Sequence, residues 1–366
     1  MEISISRDNL IKPLGQAAGI VEKRQTLPIL AYVLVRQQKG HLSLTGTDLE
    51  VEVTVGIEVT KGTDGEMTVP ARKLLDICRG LPADSVIKLN LKGEKAVVRS
   101  GKSRFTLVTM PTSDFPAIEA SEWGETFEVP QKALKSLLEA TQFCMAHQDV
   151  RYYLNGLLIE LDGKTLRAVA TDGHRMALSE IKLAESGGAN RQIIVPRKGV
   201  LELTRFLEDS DELAKISLGT NHIRVQLPGL TFTSKLVDGR FPDYNKVIPT
   251  NQGKELLIDR QSYRDALSRA AILSNEKYRG VRLNLSDGTL TITAHNPEQE
   301  EAEEEMAVDY SGEEMEIGFN VNYMIEAAGA LDTEQVKLGL SDPNSSCTLV
   351  TPDNSGALYV IMPMRL

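Results

Sequence analysis

The segment Thr171-Asp-Gly-His-Arg175 places a carboxylate and an imidazole close together, as the acid–base pair of an enzyme would require. No plausible nucleophile accompanies them, and the motifs G-x-S-x-G and H-E-x-x-H are absent from the sequence. We therefore expect no catalytic residues. An enzyme that uses Asp172 and His174, with the rest of the chain as its scaffold, is kept as an alternative hypothesis.

The segment Gly101-Lys102-Ser103 is similar to the end of a phosphate-binding loop. That motif needs a glycine five residues before its Gly-Lys pair, and Ala96 stands there instead. The following residues, Arg104–Thr109, alternate like a strand and do not open a helix. The three cysteines are too far apart in sequence for a CxxC-type metal site. We expect neither a metal nor a cofactor.

The sequence repeats itself three times. Leu42–Asp48, Leu166–Asp172 and Leu290–Asn296 follow one pattern at spacings of 124 residues. A repeat of about 122 residues has the size of a small domain and is far longer than a solenoid repeat. We therefore predict three copies of one domain, at residues 1–121, 126–246 and 247–366.

Each copy is predicted to contain a strand, a helix, several strands, a second helix and further strands. The predicted helices are residues 9 to about 19, 70–80, 131–144, 197–207, 260–273 and 322–331. Pro13 would lie in the first turn of the first helix, where a missing N–H is tolerated. We expect an α+β fold, with the two helices of each copy backed by antiparallel sheet.

The net charge of −10, taken alone, argues against a nucleic-acid partner. The predicted helices nevertheless carry clusters of Lys and Arg, whereas the predicted strands hold most of the acid, and this distribution creates a one-sided field. The alternative is that Lys and Arg occur there only because they form helices well. Six of the eight residues from 298 to 305 are glutamates, for which a solvated surface is the alternative explanation.

Nothing in the sequence indicates secretion or a membrane. Met1–Arg7 has neither a basic n-region nor an apolar h-region, and no uncharged apolar run is long enough to cross a bilayer. An odd number of scattered cysteines suits a reducing compartment. We expect a cytoplasmic protein that binds no membrane.

Several longer runs resemble a known family. Leu44–Glu50, Ala146–Gly156, Ala170–Arg175, Lys235–Tyr244 and the terminal Met362–Leu366 are similar to runs of the bacterial DNA polymerase III beta subunit, the replicative sliding clamp. The likeness covers the whole chain in order and includes the threefold repetition. It implies a non-catalytic processivity factor in which two chains join head to tail as a ring around double-stranded DNA. A peptide-binding adaptor that never encircles DNA is the alternative.

The resemblance also implies partners. DNA would be held topologically and without sequence preference, and the homodimer would be the working form. DNA polymerase subunits, the clamp loader and repair proteins would bind through a short apolar peptide motif. Helix packing is consistent with such a ring, because twelve helices about 9 Å apart leave a hole of roughly 24 Å. Six helices from one chain would enclose only about 7 Å, so two chains are needed.

Three sets of site residues follow from the resemblance. The DNA-binding set is Arg24, Arg72, His147, Gln148, Arg151, Tyr152, Tyr153, Arg197, Lys198 and Arg205. The partner-peptide pocket is Leu154, Thr171, Gly173, His174, Arg175, Met176, Pro242, Val247, Val360, Met362, Pro363, Met364 and Arg365. The dimer interface is Lys102, Arg104, Phe105, Leu107, Ile272, Leu273, Glu298, Glu300, Glu301 and Glu304.

Two of these assignments have simpler alternatives. Val360–Met364 would be a buried edge strand, and the adjacent Tyr152 and Tyr153 would be one surface and one core residue. For the dimer interface, we expect that reversing the charges of Lys102 and Arg104 opens the ring.

Overall fold

The computed structural model describes residues 1–21, 27–59, 62–116, 118, 122–185, 187–250 and 253–365. Within these residues, the three sequence repeats contain helices and strands in the same order. No helix in this part of the chain is long and apolar enough to cross a membrane.

The described part of the first repeat contains two α-helices and nine strands. They are β1 (Glu2–Ser6), α1 (Arg7–Ile20), β2 (Tyr32–Gln38), β3 (His41–Thr47), β4 (Val51–Glu58), β5 (Gly62–Thr63), β6 (Gly65–Pro70), α2 (Ala71–Gly80), β7 (Val86–Lys92), β8 (Lys95–Ser100) and β9 (Ser103–Val108). The second repeat is β10 (Trp123–Pro130), α3 (Gln131–Glu139), β11 (Gly156–Asp162), β12 (Thr165–Thr171), β13 (Arg175–Lys182), β14 (Arg191–Pro196), α4 (Arg197–Phe206), β15 (Leu213–Gly219), β16 (His222–Leu227) and β17 (Leu230–Lys235).

The third repeat follows the same order. It is β18 (Lys254–Asp259), α5 (Arg260–Ala270), β19 (Gly280–Ser286), β20 (Thr289–His295), β21 (Glu301–Ala307), β22 (Met315–Asn320), α6 (Val321–Ala330), β23 (Gln335–Leu340), β24 (Cys347–Val350) and β25 (Leu358–Ile361). The predicted helices at 131–144 and 260–273 are shorter than expected, because each ends in a separate 3-10 turn, at Gln142–Cys144 and Ala271–Leu273.

The described residues form two compact units. The first is Met1–Gln131 with Arg205–Leu236. It contains a five-stranded sheet in the order β5-β1-β7-β8-β9 and an eight-stranded sheet in the order β10-β15-β16-β17-β4-β3-β2-β6. The large sheet therefore joins the second repeat to the first, where β17 pairs with β4 from Leu230↔Val55 to Ser234↔Val51.

The second unit is Lys132–Thr204 with Val237–Leu366. Its eight-stranded sheet has the order β14-β11-β12-β13-β25-β24-β23-β18, and a four-stranded sheet has the order β21-β20-β19-β22. Here β13 pairs with β25, from Arg175↔Ile361 to Leu178↔Leu358. The sequence predicted antiparallel sheet in each copy, but it did not reveal that sheets continue across repeat boundaries. The domain boundaries predicted from the repeats stay a prediction.

Helix α1 shows how closely helix and sheet pack in the first unit. Its N-terminus is capped by Ser6, whose Oγ accepts a hydrogen bond from the backbone N–H of Asn9 at 3.3 Å. The helix therefore begins earlier than predicted, and the expectation that Pro13 lies in the first turn is wrong because Pro13 lies in the helix interior. A side chain at Gly46 on β3 would meet the carbonyl oxygen of Ala17 at 2.1 Å, so only glycine permits this contact.

Candidate functional site

The pocket turn, Thr171–Arg175, connects β12 to β13 and is built by its own side chains. Thr171 Oγ1 donates to the carbonyl of Arg175 at 2.6 Å and accepts from the N–H of Gly173 at 3.1 Å. Asp172 Oδ1 accepts from the N–H groups of His174 and Arg175 at 2.9 and 3.0 Å. The carboxylate of Asp172 is thus engaged in shaping a turn, and Gly173 supplies the φ of 89° that the turn needs.

The pocket floor is a buried apolar cluster beneath that turn. Leu154, Met176 and Val360 are each about 2–3% exposed, and they pack with Phe241 and Tyr244. Val360 lies on β25, which is flanked by β13 and β24, so Val360 belongs to an interior strand. The alternative of a buried edge strand is therefore wrong, because the strand is not at an edge. It did expect Val360 to be buried, as it is.

The pocket rim is exposed and comes from two segments. Val247 is 53% exposed and Met362 is 48% exposed, and Pro242 is exposed as well. The N–H of Met362 donates to the carbonyl of His174 at 2.9 Å, and the N–H of Met364 donates to the carbonyl of Gly318 at 2.8 Å. These two bonds hold the last residues, including Pro363 and Arg365, across the second and third repeats. Within the second unit, the structure thus gathers Leu154, Met176 and Val360 in one cluster and places Met362 beside the pocket turn. Met364 and Arg365 instead line a cavity formed by the third repeat.

Arg175 ties the pocket turn to the third repeat. Its side chain is 11% exposed and pairs with Asp172 at 3.1 Å and with Glu326 on α6. Its guanidinium carbon lies 4.3 Å from the ring centre of Tyr323 and 5.4 Å from that of Phe143. The sequence did not reveal Glu326, Tyr323 and Phe143 as its partners, because they lie in distant segments and follow no shared pattern.

Tyr244 fixes the rim from the other side and was also missed. Its hydroxyl donates to Glu160 Oε2 at 2.5 Å and accepts from Arg167 Nη1 at 3.0 Å. Arg167 in turn pairs with Glu160 at 2.8 Å and with Glu180 at 2.9 Å. This network anchors the Pro242–Val247 segment to the sheet of the second repeat, and so it sets the position of half of the rim.

The predicted DNA-binding loop lies beside the pocket turn in the second unit. His147, Gln148 and Tyr152 are exposed, whereas Tyr153 packs against the apolar cluster. The alternative of one surface and one core tyrosine holds only in part, because Tyr153 is half-buried, and both residues lie in a 3-10 turn and not in a strand. Arg197, at the start of α4, donates to the carbonyl of Met145 at 3.0 Å and therefore stays near this loop, with Lys198 next in sequence.

Arg151 is bound to the protein itself. It donates to Asp149 at 3.0 and 2.8 Å and to the carbonyl of Asp172 at 3.2 Å. The hydrogen bonds from Arg151 lower the pKa of the Asp149 carboxyl to about 2. Much of the charge of Arg151 is therefore neutralised locally, and we weigh it below the other predicted DNA contacts.

In the first unit, Arg72 lies exposed on α2 and donates to the carbonyl of Val21 at 3.1 Å. Arg205 is exposed near the end of α4. Arg24 lies outside the described residues.

The predicted dimer residues lie on or next to two strands at sheet edges. In the first unit, β9 is the last strand of its sheet. Arg104 and Phe105 are exposed on it, Lys102 is exposed just before it, and Leu107 is half-buried. In the second unit, β21 is the last strand of its sheet, and Glu301 is exposed on it. Ile272, 75% exposed, and the half-buried Leu273 follow α5, which packs against β21.

The predicted glutamates differ in what they contact. Glu304 is bound to Arg269 through two bonds of 2.8 and 2.6 Å, whereas Glu300 accepts from Asn296 at 2.6 Å. Glu298 is exposed in the turn before β21. Glu304 is therefore oriented by its own domain, and it does not offer a free charge to another surface.

Comparison with known proteins identifies the family of this chain. Models of the N-terminal, central and C-terminal domains of the DNA polymerase III beta subunit match residues 1–119, 128–243 and 245–365. Proteins named beta sliding clamp from Pseudomonas putida and Escherichia coli K12 are 53% and 50% identical to this chain, each over 100% of both chains. The solved sliding clamp of Pseudomonas aeruginosa bound to griselimycin superposes with a TM-score of 0.97 at 52% identity, covering 100% of both chains. A Caulobacter crescentus clamp does so with a TM-score of 0.95 at 36% identity and the same coverage. The chain therefore belongs to the DNA polymerase III beta subunit family.

Proposed function

We propose that this chain is a sliding clamp, in which two copies join head to tail as a ring around duplex DNA. As a family member it is a non-catalytic processivity factor that tethers the replicative polymerase and other replication and repair proteins. The observation that carries the proposal is the pair of chemically complementary edge strands, cationic and aromatic on β9 and anionic on β21. The proposal includes a cytoplasmic location, which three buried, free cysteines favour.

The internal repeats specify a register for this dimer. Strand β21 pairs with β20 as β13 pairs with β12, so that Glu301 corresponds to Met176. Strand β9 corresponds to β17 and β25, the strands that cross the two repeat boundaries within the chain. If the same pairing continues between two copies, Glu303 lies opposite Arg104, and Ala302 lies opposite Phe105.

This register is chemically favourable. Glu305 would lie opposite Lys102, so two opposite-charge pairs would face each other across the strands, each worth roughly 0.2–1 kcal/mol. On the other face, the large Phe105 would meet the small Ala302 on the side of β21 that packs against α5, the helix before Ile272. Backbone hydrogen bonding would complete the edges of both sheets.

Charge reversal tests the dimer. We expect the variant Lys102→Glu/Arg104→Glu to sediment as a monomer, because both pairs become repulsive. Mixing it with Glu303→Lys/Glu305→Lys should give a mixed dimer, since opposite charges again face each other at both interfaces. The control Lys88→Glu/Lys92→Glu changes the same charge on β7, an interior strand of that sheet, and should remain dimeric. An unchanged dimer in the first variant would contradict the interface.

Retention on DNA tests the ring itself. A chain that encircles DNA should stay on a nicked circular plasmid through gel filtration and leave once the plasmid is cut to a linear form. A peptide-binding adaptor would show equal, weak retention on both. Within the ring, we propose that Arg72, His147, Gln148, Tyr152, Arg197, Lys198 and Arg205 face the DNA, with Tyr153 nearby. Arg24, which lies outside the described residues, stays a predicted DNA contact.

The pocket of the second unit is the proposed partner site. Griselimycin, which the Pseudomonas aeruginosa relative binds, provides a probe. We expect Val247→Glu to weaken its binding at least tenfold, because a charge would replace an apolar rim residue that is 53% exposed. The control Leu257→Glu places the same charge on an apolar residue of β18 that is 43% exposed and outside the pocket, and its affinity should match the wild type. Equal affinities for both variants would exclude this pocket.

A further inference from the structure

The first repeat contains a second copy of the pocket turn. In the first-repeat turn, Thr47–Val51, the Thr47 Oγ1 donates to the carbonyl of Val51 at 2.9 Å and accepts from the N–H of Leu49 at 3.1 Å. Asp48 Oδ1 accepts from the N–H groups of Glu50 and Val51 at 2.9 and 2.7 Å. Each of these bonds has its counterpart in the pocket turn, so the two turns have the same hydrogen-bonded construction.

The strand that leaves each turn is held in the same way. The N–H of Lys235 donates to the carbonyl of Glu50 at 2.8 Å, as the N–H of Met362 donates to the carbonyl of His174 at 2.9 Å. Ser234 pairs with Val51 in one sheet, and Ile361 pairs with Arg175 in the other. At its own repeat boundary, the first unit therefore carries the same turn and the same strand pairing as the pocket.

One residue distinguishes the two turns at their tips. Leu49 stands where the pocket turn has Gly173, and it adopts a φ of 80°, close to the 89° of that glycine. A leucine in this left-handed region is strained, and the surrounding structure must offset that cost. The Leu49 side chain packs on a small apolar cluster formed by Ile29, Leu30 and Phe115. Leu30 and Phe115 correspond in sequence to Leu154 and Phe241 of the pocket floor.

The rest of the floor is polar in the first unit. Glu52 occupies the position of Met176, and its carboxylate accepts from the N–H of Ile118 at 3.3 Å. Thr233 takes the place of Val360 and is buried, and Thr68 takes the place of Ile194. Thr68 Oγ1 donates to the carbonyl of Met110 at 2.7 Å and accepts from its N–H at 2.8 Å. The hydrogen-bonding groups of this floor are thus used within the fold.

We propose that the boundary of the first and second repeats is a latent copy of the partner-peptide pocket, closed by the Leu49 side chain and made unsuitable for apolar peptides by Glu52. This inference rests on the partner pocket proposed above. Its consequence is that each chain presents a single partner site although the scaffold occurs twice. The Leu49 side chain itself occupies the latent pocket, because it covers the apolar cluster that a peptide side chain would otherwise contact.

The test restores two residues of the pocket, at positions 49 and 52, to the first boundary. The probe is a heptapeptide selected by phage display for binding to the wild-type full-length protein. Calorimetric titration should give one peptide per wild-type chain and two per chain of Leu49→Gly/Glu52→Met. Glycine at position 49 relieves the positive φ, so this variant should fold.

A second background isolates the new site. In Met176→Glu, which places a charge on the floor of the original pocket, we expect peptide binding to fall at least a hundredfold. Adding Leu49→Gly/Glu52→Met to that background should restore one peptide per chain. If the stoichiometry stays at one in the first variant and binding stays lost in the second, with melting temperatures unchanged, the latent pocket is refuted. If the wild type itself binds no peptide at the original pocket, the proposed function fails instead, and the two failures are distinguishable.

Discussion

At the scale of single residues, the candidate site depends on side chains that bind other side chains. Arg175 joins the pocket turn to α6, and Tyr244 joins the rim to the sheet. Neither role is visible in local sequence, because each partner lies in a remote segment. The family resemblance, and not the local sequence, is what proposed Gly173, Met176 and Met362 for the site, and that assignment stays a prediction.

Loss of the Arg175 side chain should destabilise the fold. Arg175→Ala removes two ion pairs and leaves the partly buried Asp172 carboxylate, 18% exposed, without its cation. We expect a loss of roughly 2–3 kcal/mol in the free energy of unfolding of this region. Differential scanning calorimetry would measure it as a lower melting temperature. Arg282→Ala, which removes an ion pair to the exposed Glu316, should cost under about 1 kcal/mol.

Glu52 predicts a pH-dependent effect on stability. Burial raises the pKa of its carboxyl, although the N–H of Ile118 and the charge of Arg224 act against this shift. At neutral pH the charged form opposes folding. As the pH falls through the raised pKa, the folded carboxyl binds a proton before the unfolded one, and the penalty disappears.

We therefore expect Glu52→Gln to raise the melting temperature at pH 7.5, because the amide can still accept from Ile118. The gain should shrink as the pH is lowered toward 5. Melting curves across this range would measure it, with the exposed Glu58→Gln on the same strand as the control. A gain that is constant with pH would contradict the role of the buried charge.

At the scale of secondary-structure elements, helix α1 and strand β3 approach each other through a glycine. Gly46→Ala would bring a Cβ within 2.1 Å of the Ala17 carbonyl oxygen, and backbone must move to accommodate it. We expect this variant to lose about 2 kcal/mol or more, by the cost of overpacking a core. Gly15→Ala in the same helix meets nothing within 4 Å and should gain roughly 0.5–1 kcal/mol. Thermal melts of the pair provide the measurement.

Among the secondary-structure elements, the sequence predicted the helices well and the strand pairing between repeats not at all. The first helix was predicted from its apolar spacing, the second from its initial Pro and final Gly, and the other four from the repetition of the sequence. Their ends were less accurate, because the Ser6 cap and the two 3-10 turns depend on single hydrogen bonds. The pairing of β17 with β4 and of β13 with β25 was not predicted, because strand partners across a repeat boundary leave no periodic signal.

At the scale of the whole molecule, the proposed ring is held by charged edges exposed to solvent. Such pairs are screened by salt, with a Debye length of about 10 Å at 0.1 M. We expect the dimer to dissociate more readily as NaCl rises from 0.05 to 0.5 M, and the residence time on circular DNA to fall with it. Sedimentation equilibrium and plasmid retention would measure both. A dimer that tightens with salt would indicate that Phe105 and Ile272, and not the charges, dominate the contact.

The continuous sheets make the three repeats inseparable despite their likeness. Cutting the chain near residue 122 or 246 would strip β4 or β25 of a neighbour and leave a long row of unsatisfied amides and carbonyls. A truncated fragment is then a template for aggregation, so an insertion or fusion is tolerated only at hairpin tips that do not interrupt these ladders. We therefore expect a single repeat, cut out of the chain, to be less stable than the same repeat within it.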